Sequence, residues 1–208
     1  MTPIEIRPAR ADDVEAAVPL IYSSGPAQFN YVFCRERDGE AQDFLRHSFV
    51  RGAGQFGFRN HTVAVSAGRI VGIGACYSGD SHLAFVATAV RQFLGFYGRA
   101  GAGVIWRGLQ AERVMPPPSR SELMISHLGV APDLRGSGIG KQVIEHFLER
   151  GRAFGKSMAV LDVSVENPRA QGLYQRLEFT VKAERRSLFR SAHGYIPNHR
   201  RMHRPLNP

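Results

Sequence analysis

Three glycines at alternate positions, Gly136, Gly138 and Gly140, stand between an apolar run and an amphipathic one. The apolar run, Leu123 to Val130, has strand length. Pro132 and Asp133 close it. From about Ile139 to Arg150, the residues Ile139, Val143, Ile144, Phe147 and Leu148 recur at helical spacing, which predicts one buried helix face. Lys141, Gln142, Glu145 and Glu149 lie on the other face, and Gly151 suits the C-terminal stop. The first N–H groups of such a helix have no partner inside it, and the helix dipole favours negative charge there. With no Cβ in the way, the backbone can close around a phosphate. Arg135 and Lys141 add positive charge, so this strand, turn and helix predict an anion site.

The spacing excludes two common phosphate loops. A nucleotide-binding P-loop needs G-x-x-x-x-G-K-[ST], but Arg135 stands where its first Gly belongs and Gln142 replaces its Ser or Thr. A dinucleotide fingerprint needs G-x-G-x-x-G, and the third glycine, Gly140, comes one residue too early. What remains is R-x-x-G-x-G, at Arg135, Gly138 and Gly140. Downstream, Met158 to Val165 is a β-rich strand. Asn167 is a good N-cap and Pro168 suits a first helical position. The helix over 168–177 then buries Leu173, Tyr174 and Leu177. Its full pattern is N-P-x-A-x-x-L-Y-x-x-L-x-F, from Asn167 to Phe179, beginning 27 residues after Gly140.

These two motifs, in this order and context, resemble those of the GNAT superfamily of N-acetyltransferases, over about residues 121–180. The resemblance implies an α/β fold, with a mixed, splayed sheet of about seven strands flanked by helices. It implies acetyl-CoA (coenzyme A) as co-substrate, an amine acceptor, no metal, and the homodimer common in the family. Leu128, Gly129 and Val130 would form the edge that meets the pantetheine arm. Arg135, Gly136, Ser137, Gly138, Ile139, Gly140 and Lys141 would form the pyrophosphate loop. Asn167 would bond the pantetheine arm, serve as a helix cap, or both. Tyr174 occupies the family position of the general acid; a phenol of ordinary pKa near 10 is still protonated at pH 7. One departure is Glu178, where the family usually has Gly. If that position is left-handed, a side chain there costs about 1 kcal/mol.

The base is less defined. Strand alternation counted back from Val130 puts Leu128, Ser126, Met124 and Glu122 on one face. Ser126 could order a water there, and Glu122 could be the base if it reaches inward. His127 falls on the other face unless a bulge re-aims it. An ordered water chain with no single base is the alternative.

The rest of the chain reads as follows. Ile4 to Arg7 is a strand. Asp12 or Asp13 caps a helix to about Tyr22 that contains Pro19. Residues 22–35 are an aromatic connection, and Glu40 to Arg51 is a second helix. His61 to Ser66 and Ile70 to Tyr77 form a hairpin. Residues 80–119 are an insertion of one or two helices within a single domain spanning 1–208. That length is too great for a structureless loop. Its aromatics line an acceptor pocket or form a packing or dimer surface. Two last strands, over 180–189 and 195–204, flank a turn at Ala192. Acceptor contacts are expected from residues 22–40, the insertion, and 190–197. Their aromatic content suits a small amine or amino acid, with a peptide or protein amine as the other class.

Composition narrows the function. The net charge is +9, yet the basic residues are scattered and no nucleic-acid-reading helix is recognisable. Nucleic-acid binding through Arg185 to Arg204 is therefore the weaker reading. A CoA-binding sensor with little catalysis is the other alternative. Two cysteines, Cys34 and Cys76, read as reduced thiols of a cytoplasmic protein. The N-terminus shows no apolar signal region, and the apolar stretch over 83–106 is too interrupted to span a bilayer. His199 and His203 have ligand-like spacing but no third partner, and read as a solvated edge.

Overall fold

The computed structural model describes residues 3–35 and 39–206. Seven strands form one sheet in the order β1-β2-β3-β4-β5-β7-β6. They are β1 (Glu5–Pro8), β2 (His61–Ser66), β3 (Arg69–Ser78), β4 (Glu122–Val130), β5 (Met158–Ser164), β6 (Thr180–Arg185) and β7 (His199–Pro205). The helices are α1 (Val14–Ser23), α2 (Pro26–Phe33), α3 (Glu40–Arg51), α4 (His82–Tyr97), α5 (Gly101–Val114), α6 (Ile139–Ala153) and α7 (Pro168–Arg176). Every neighbouring pair of strands is antiparallel except β4 and β5. Parallel strands need a long crossover, and α6 provides it.

The sheet is covered on both faces. On one side Phe29, Phe33, Phe44, Phe49, Val63 and Ile73 pack with α1 to α5. On the other, Val143, Ile144, Phe147, Leu161, Phe179 and Met202 pack beneath α6 and α7. Helix α1 is continuous through Pro19. Gly129 lets it lie close against β4: a Cβ there would sit 2.2 Å from the Leu20 carbonyl oxygen.

Two segments differ from the sequence expectation, and a third, the insertion, takes the helical form expected of it. Residues 26–33 are a helix, started by Pro26 in its first turn; four of its eight residues are buried. The last two strands are shorter than expected, because residues 186–198 run irregularly between them, with one bridge from Arg190 to Tyr195. The insertion folds as the hairpin α4–α5 and packs inward. Phe93 meets Phe44 and Phe33 at 5.1 and 6.0 Å between ring centres. The Tyr97 hydroxyl donates to the Phe33 carbonyl at 2.9 Å, and Arg107 donates to the Cys34 carbonyl at 2.7 Å. Its outer side leaves Leu83, Trp106 and Leu109 exposed.

Candidate active site

The glycine turn has the geometry its spacing demands. Gly136 and Gly138 have φ of 93° and 88°, a left-handed region that strains any side chain. Gly138 caps α6, so the free N–H groups of that helix open into the turn. Gly140 sits against Leu173 of α7, where a Cβ would lie 3.4 Å from the leucine side chain. The loop and α7 are thereby held together. Ile139 is buried. The Ser137 hydroxyl donates to the Leu134 carbonyl at 2.6 Å, closing the turn on itself. Arg135 Nε reaches the Val130 carbonyl at 3.3 Å, and Lys141 approaches Glu145 at 3.6 Å. Arg169, which the sequence reading passed over, brings its guanidinium beside Gly136. A cradle of N–H groups with three cations around it suits a phosphate.

Beside this loop the sheet opens. β4 and β5 pair only through Glu122–Met158, Leu123–Ala159 and Met124–Val160. Past Met124 they diverge, although β5 continues to pair with β7 along its other edge as far as Ser164. The divergence leaves the β5-facing edge of β4, from Ile125 to Val130, without a strand partner. The other edge is interrupted by a bulge. Ser126 opposes Ala75 and Gly129 opposes Ile73, so His127 and Leu128 together face Gly74. His127 has φ of 53°, left-handed for a non-glycine residue, as a bulge requires.

The bulge corrects the strand-face count. Leu128 and Val130 pack toward α6 together with Leu123 and Ile125. His127 lies on the opposite side, against Phe29 and Phe56 at 6.0 and 5.1 Å between rings. Strict alternation had put Leu128 with Ser126 and Met124 and set His127 apart; one extra residue reverses that. The Ser126 hydroxyl is buried and has no hydrogen-bond partner among the described residues. Glu122 lies at the far end of β4, where its carboxylate accepts from the Ser119 backbone N–H at 2.8 Å. Five residues of strand, about 16 Å, separate it from the bulge.

His127 is coupled to His61, the first residue of β2. Their rings stack at 5.3 Å with 13° between planes, and His127 Nδ1 lies 3.1 Å from His61 Nε2. His61 Nδ1 is 2.9 Å from the Gly57 carbonyl. Burial pushes His61 down to about 4, partly offset by its bond to Gly57. Burial, and then His61, hold His127 well below the usual histidine range. Both are therefore neutral at pH 7. His127 Nε2 makes no hydrogen bond among the described residues and is not among the nitrogens sealed from solvent.

On the α6 side, Tyr174 of α7 is buried, and burial pushes its phenol up to about 12. It therefore holds its proton at any physiological pH. Asn167 Oδ1 accepts from the Ala170 N–H at 3.0 Å, the cap its position suggests. Across the sheet, contacts tie the expected acceptor segments to their neighbours. Tyr195 N–H donates to the Ala27 carbonyl at 3.2 Å, Tyr31 donates to Gln110 at 2.5 Å, and Tyr77 meets Phe85 edge to face. Residues 36–38, part of the expected acceptor segment, lie outside the described residues. No group of three metal-ligating side chains occurs among the described residues, and none of their helices is long and apolar enough to cross a membrane.

The comparisons agree with this architecture. A curated relative, the 5-NmdU N-acetyltransferase of Pseudomonas phage PaMx11, is 36% identical over 73 residues. That match covers 35% of this chain and 47% of the relative, about half its length. An N-acetyltransferase from Staphylococcus aureus Mu50 superposes with a TM-score of 0.68 at 16% identity, covering 96% of this chain and all of the other. A polyamine N-acetyltransferase from Drosophila melanogaster gives 0.58 at 22% identity, covering 98% of this chain and all of the other. These two likenesses are of fold. Residues 27–179 match the model of the Acetyltransferase (GNAT) family, and with the splayed sheet and glycine turn just described, the chain belongs to that family.

Proposed function

We propose that this enzyme transfers the acetyl group of acetyl-CoA directly to the primary amine of a small, partly apolar acceptor. The observation that carries the reading is the junction of three features at one point of β4: the open edge, the glycine cradle and the bulge. Loop amides from Gly136 to Lys141, with Arg135 and Arg169, would hold the pyrophosphate. The unpaired edge over Leu128 to Val130 would receive the amide-bearing arm. Acetyl-CoA supplies the acyl group when bound; the chain's own groups handle protons and position. A backbone N–H at the bulge would stabilise negative charge on the acyl oxygen.

His127 is the proton acceptor in this reading, replacing Glu122. Its neutral ring lies on the side of the sheet that carries α2, against Phe29 and Phe56. As the amine nitrogen bonds to the acyl carbon, its proton passes to His127 Nε2, directly or through a water that Ser126 orders. The carbon–sulfur bond breaks, and the leaving thiolate takes a proton from Tyr174. Both side chains return to their starting states by exchange with solvent. Phe29, Phe56 and Tyr77 favour an acceptor with an apolar body. The acceptor named for the phage relative, 5-NmdU, belongs in the same panel as phenethylamine and agmatine.

The test is thermal unfolding with and without acetyl-CoA. A ligand at 100 times its Kd adds about 2.7 kcal/mol, or roughly 5–10 °C for a chain of this length. Gly138→Glu fills the cradle with a side chain and a negative charge, and abolishes the shift. If millimolar acetyl-CoA produces no shift in the unaltered protein, the cofactor reading is wrong.

A further inference from the structure

We propose that His61 is a positioning residue: anchored by the Gly57 carbonyl, it fixes the tautomer of His127 so that Nε2 is the bare nitrogen. The inference deepens the reading of His127 as proton acceptor and rests on it. It follows from donor and acceptor chemistry once burial keeps both rings neutral. A backbone carbonyl only accepts, so the 2.9 Å contact requires the proton of His61 on Nδ1. A neutral His61 then has a lone pair on Nε2. The 3.1 Å contact with His127 Nδ1 needs one proton, and only His127 can supply it. A neutral His127 that donates from Nδ1 has its lone pair on Nε2, the nitrogen that no described residue bonds.

Each link is held by packing. His61 is buried, with its ring 5.7 Å from Phe49 on one side and stacked on His127 on the other. Phe29 from α2 and Phe56 from the loop before β2 close around His127. Among the described residues, the rings packed on His127 are those of Phe29, Phe56 and His61, and of these only His61 is titratable. A histidine side chain in water favours the Nε2–H form, and in that form His127 would present a donor to the amine instead of a base. The 66-residue separation of the pair means that β2 and the β4 bulge must both be in place before the tautomer is set.

The experiment compares His61→Phe with His61→Gln. Phenylalanine keeps the stack but offers no acceptor; glutamine restores an oxygen near the position of His61 Nε2. The first readout is the nitrogen NMR spectrum of the His127 ring, which needs no acceptor substrate. The unaltered protein and His61→Gln should show a protonated Nδ1 and a pyridine-like Nε2. His61→Phe should show the reverse. The second readout is thiol release from acetyl-CoA with phenethylamine, agmatine and 5-NmdU. His61→Phe should lower kcat roughly tenfold or more, since general bases contribute about 10²–10⁴. Its thermal shift with acetyl-CoA should stay intact, and His61→Gln should recover most of the rate. The inference is overturned if His127 in His61→Phe keeps its proton on Nδ1, or if the two variants lose activity equally. Unchanged turnover in His127→Gln would instead overturn the base assignment, leaving the tautomer measurement to stand by itself.

Discussion

Two residues carry costs that single measurements can read. His61 takes up its proton only near pH 4 in the folded chain, against an ordinary value of 6.5. Below pH 6.5 the unfolded chain binds that proton first, so the folded state loses ground as pH falls. The loss spans the window from 6.5 to about 4 and amounts to about 3 kcal/mol. Urea unfolding at pH 7 and pH 5 should show the slope, and His61→Phe should flatten it. His127, also lowered, acts in the same direction. Glu178 is the second case. Its φ of 63° is left-handed, so the condition for strain at that position is met. An ion pair to Arg204 at 2.9 Å offsets part of the strain, but the glutamate side chain is 77% exposed, and such pairs contribute little. Glu178→Gly should therefore stabilise the fold by about 0.5 kcal/mol, a rise in Tm of roughly 1–2 °C. Positions like these were legible wherever a motif supplied a template. The roles of His61 and Arg169 were not, because their partners lie far away in sequence.

Between elements, the strongest polar tie joins β5 to β7 and to the insertion. Arg201 grips Asp162 through two bonds, at 3.0 and 2.6 Å, with both side chains under a tenth exposed. The same guanidinium donates to the Pro116 carbonyl. Asp162→Ala would leave a buried charge unpaired and should cost roughly 3–5 kcal/mol, seen as a lower urea midpoint. Most elements could be read from the sequence because each follows a local rule. The β4–turn–α6 unit has its glycines and its helical period, and α7 has its Asn167–Pro168 start. Helix α2 escaped because eight residues rich in aromatics carry too little period to separate helix from loop. The faces of β4 were misread because an inserted residue leaves no local mark: His127 is an ordinary strand residue until Gly129 and α1 force the register around it.

For the molecule as a whole, the order of elements gave the sheet, since hairpins, one crossover and a final antiparallel pair admit few arrangements. What the order did not give is where sequence-distant segments meet. The α4–α5 hairpin reaches the core through Phe93 and Val104, a contact set by shape instead of pattern. The divergence of β4 from β5 has a further consequence. Open rungs at the margin of a sheet are where proteins adhere to one another and aggregate. Here the open rungs lie inside the molecule, in a wedge whose narrow end is shut by three paired residues. A strand from another protein would need a gap of about 9.6 Å, two strand spacings, along its whole length. The shut end denies it that width, whereas a slender molecule entering tip first needs it only at the mouth. The wedge thus sorts visitors by thickness before any side chain is consulted, and an exposed ladder that elsewhere would invite fibres is kept for something narrower than a polypeptide.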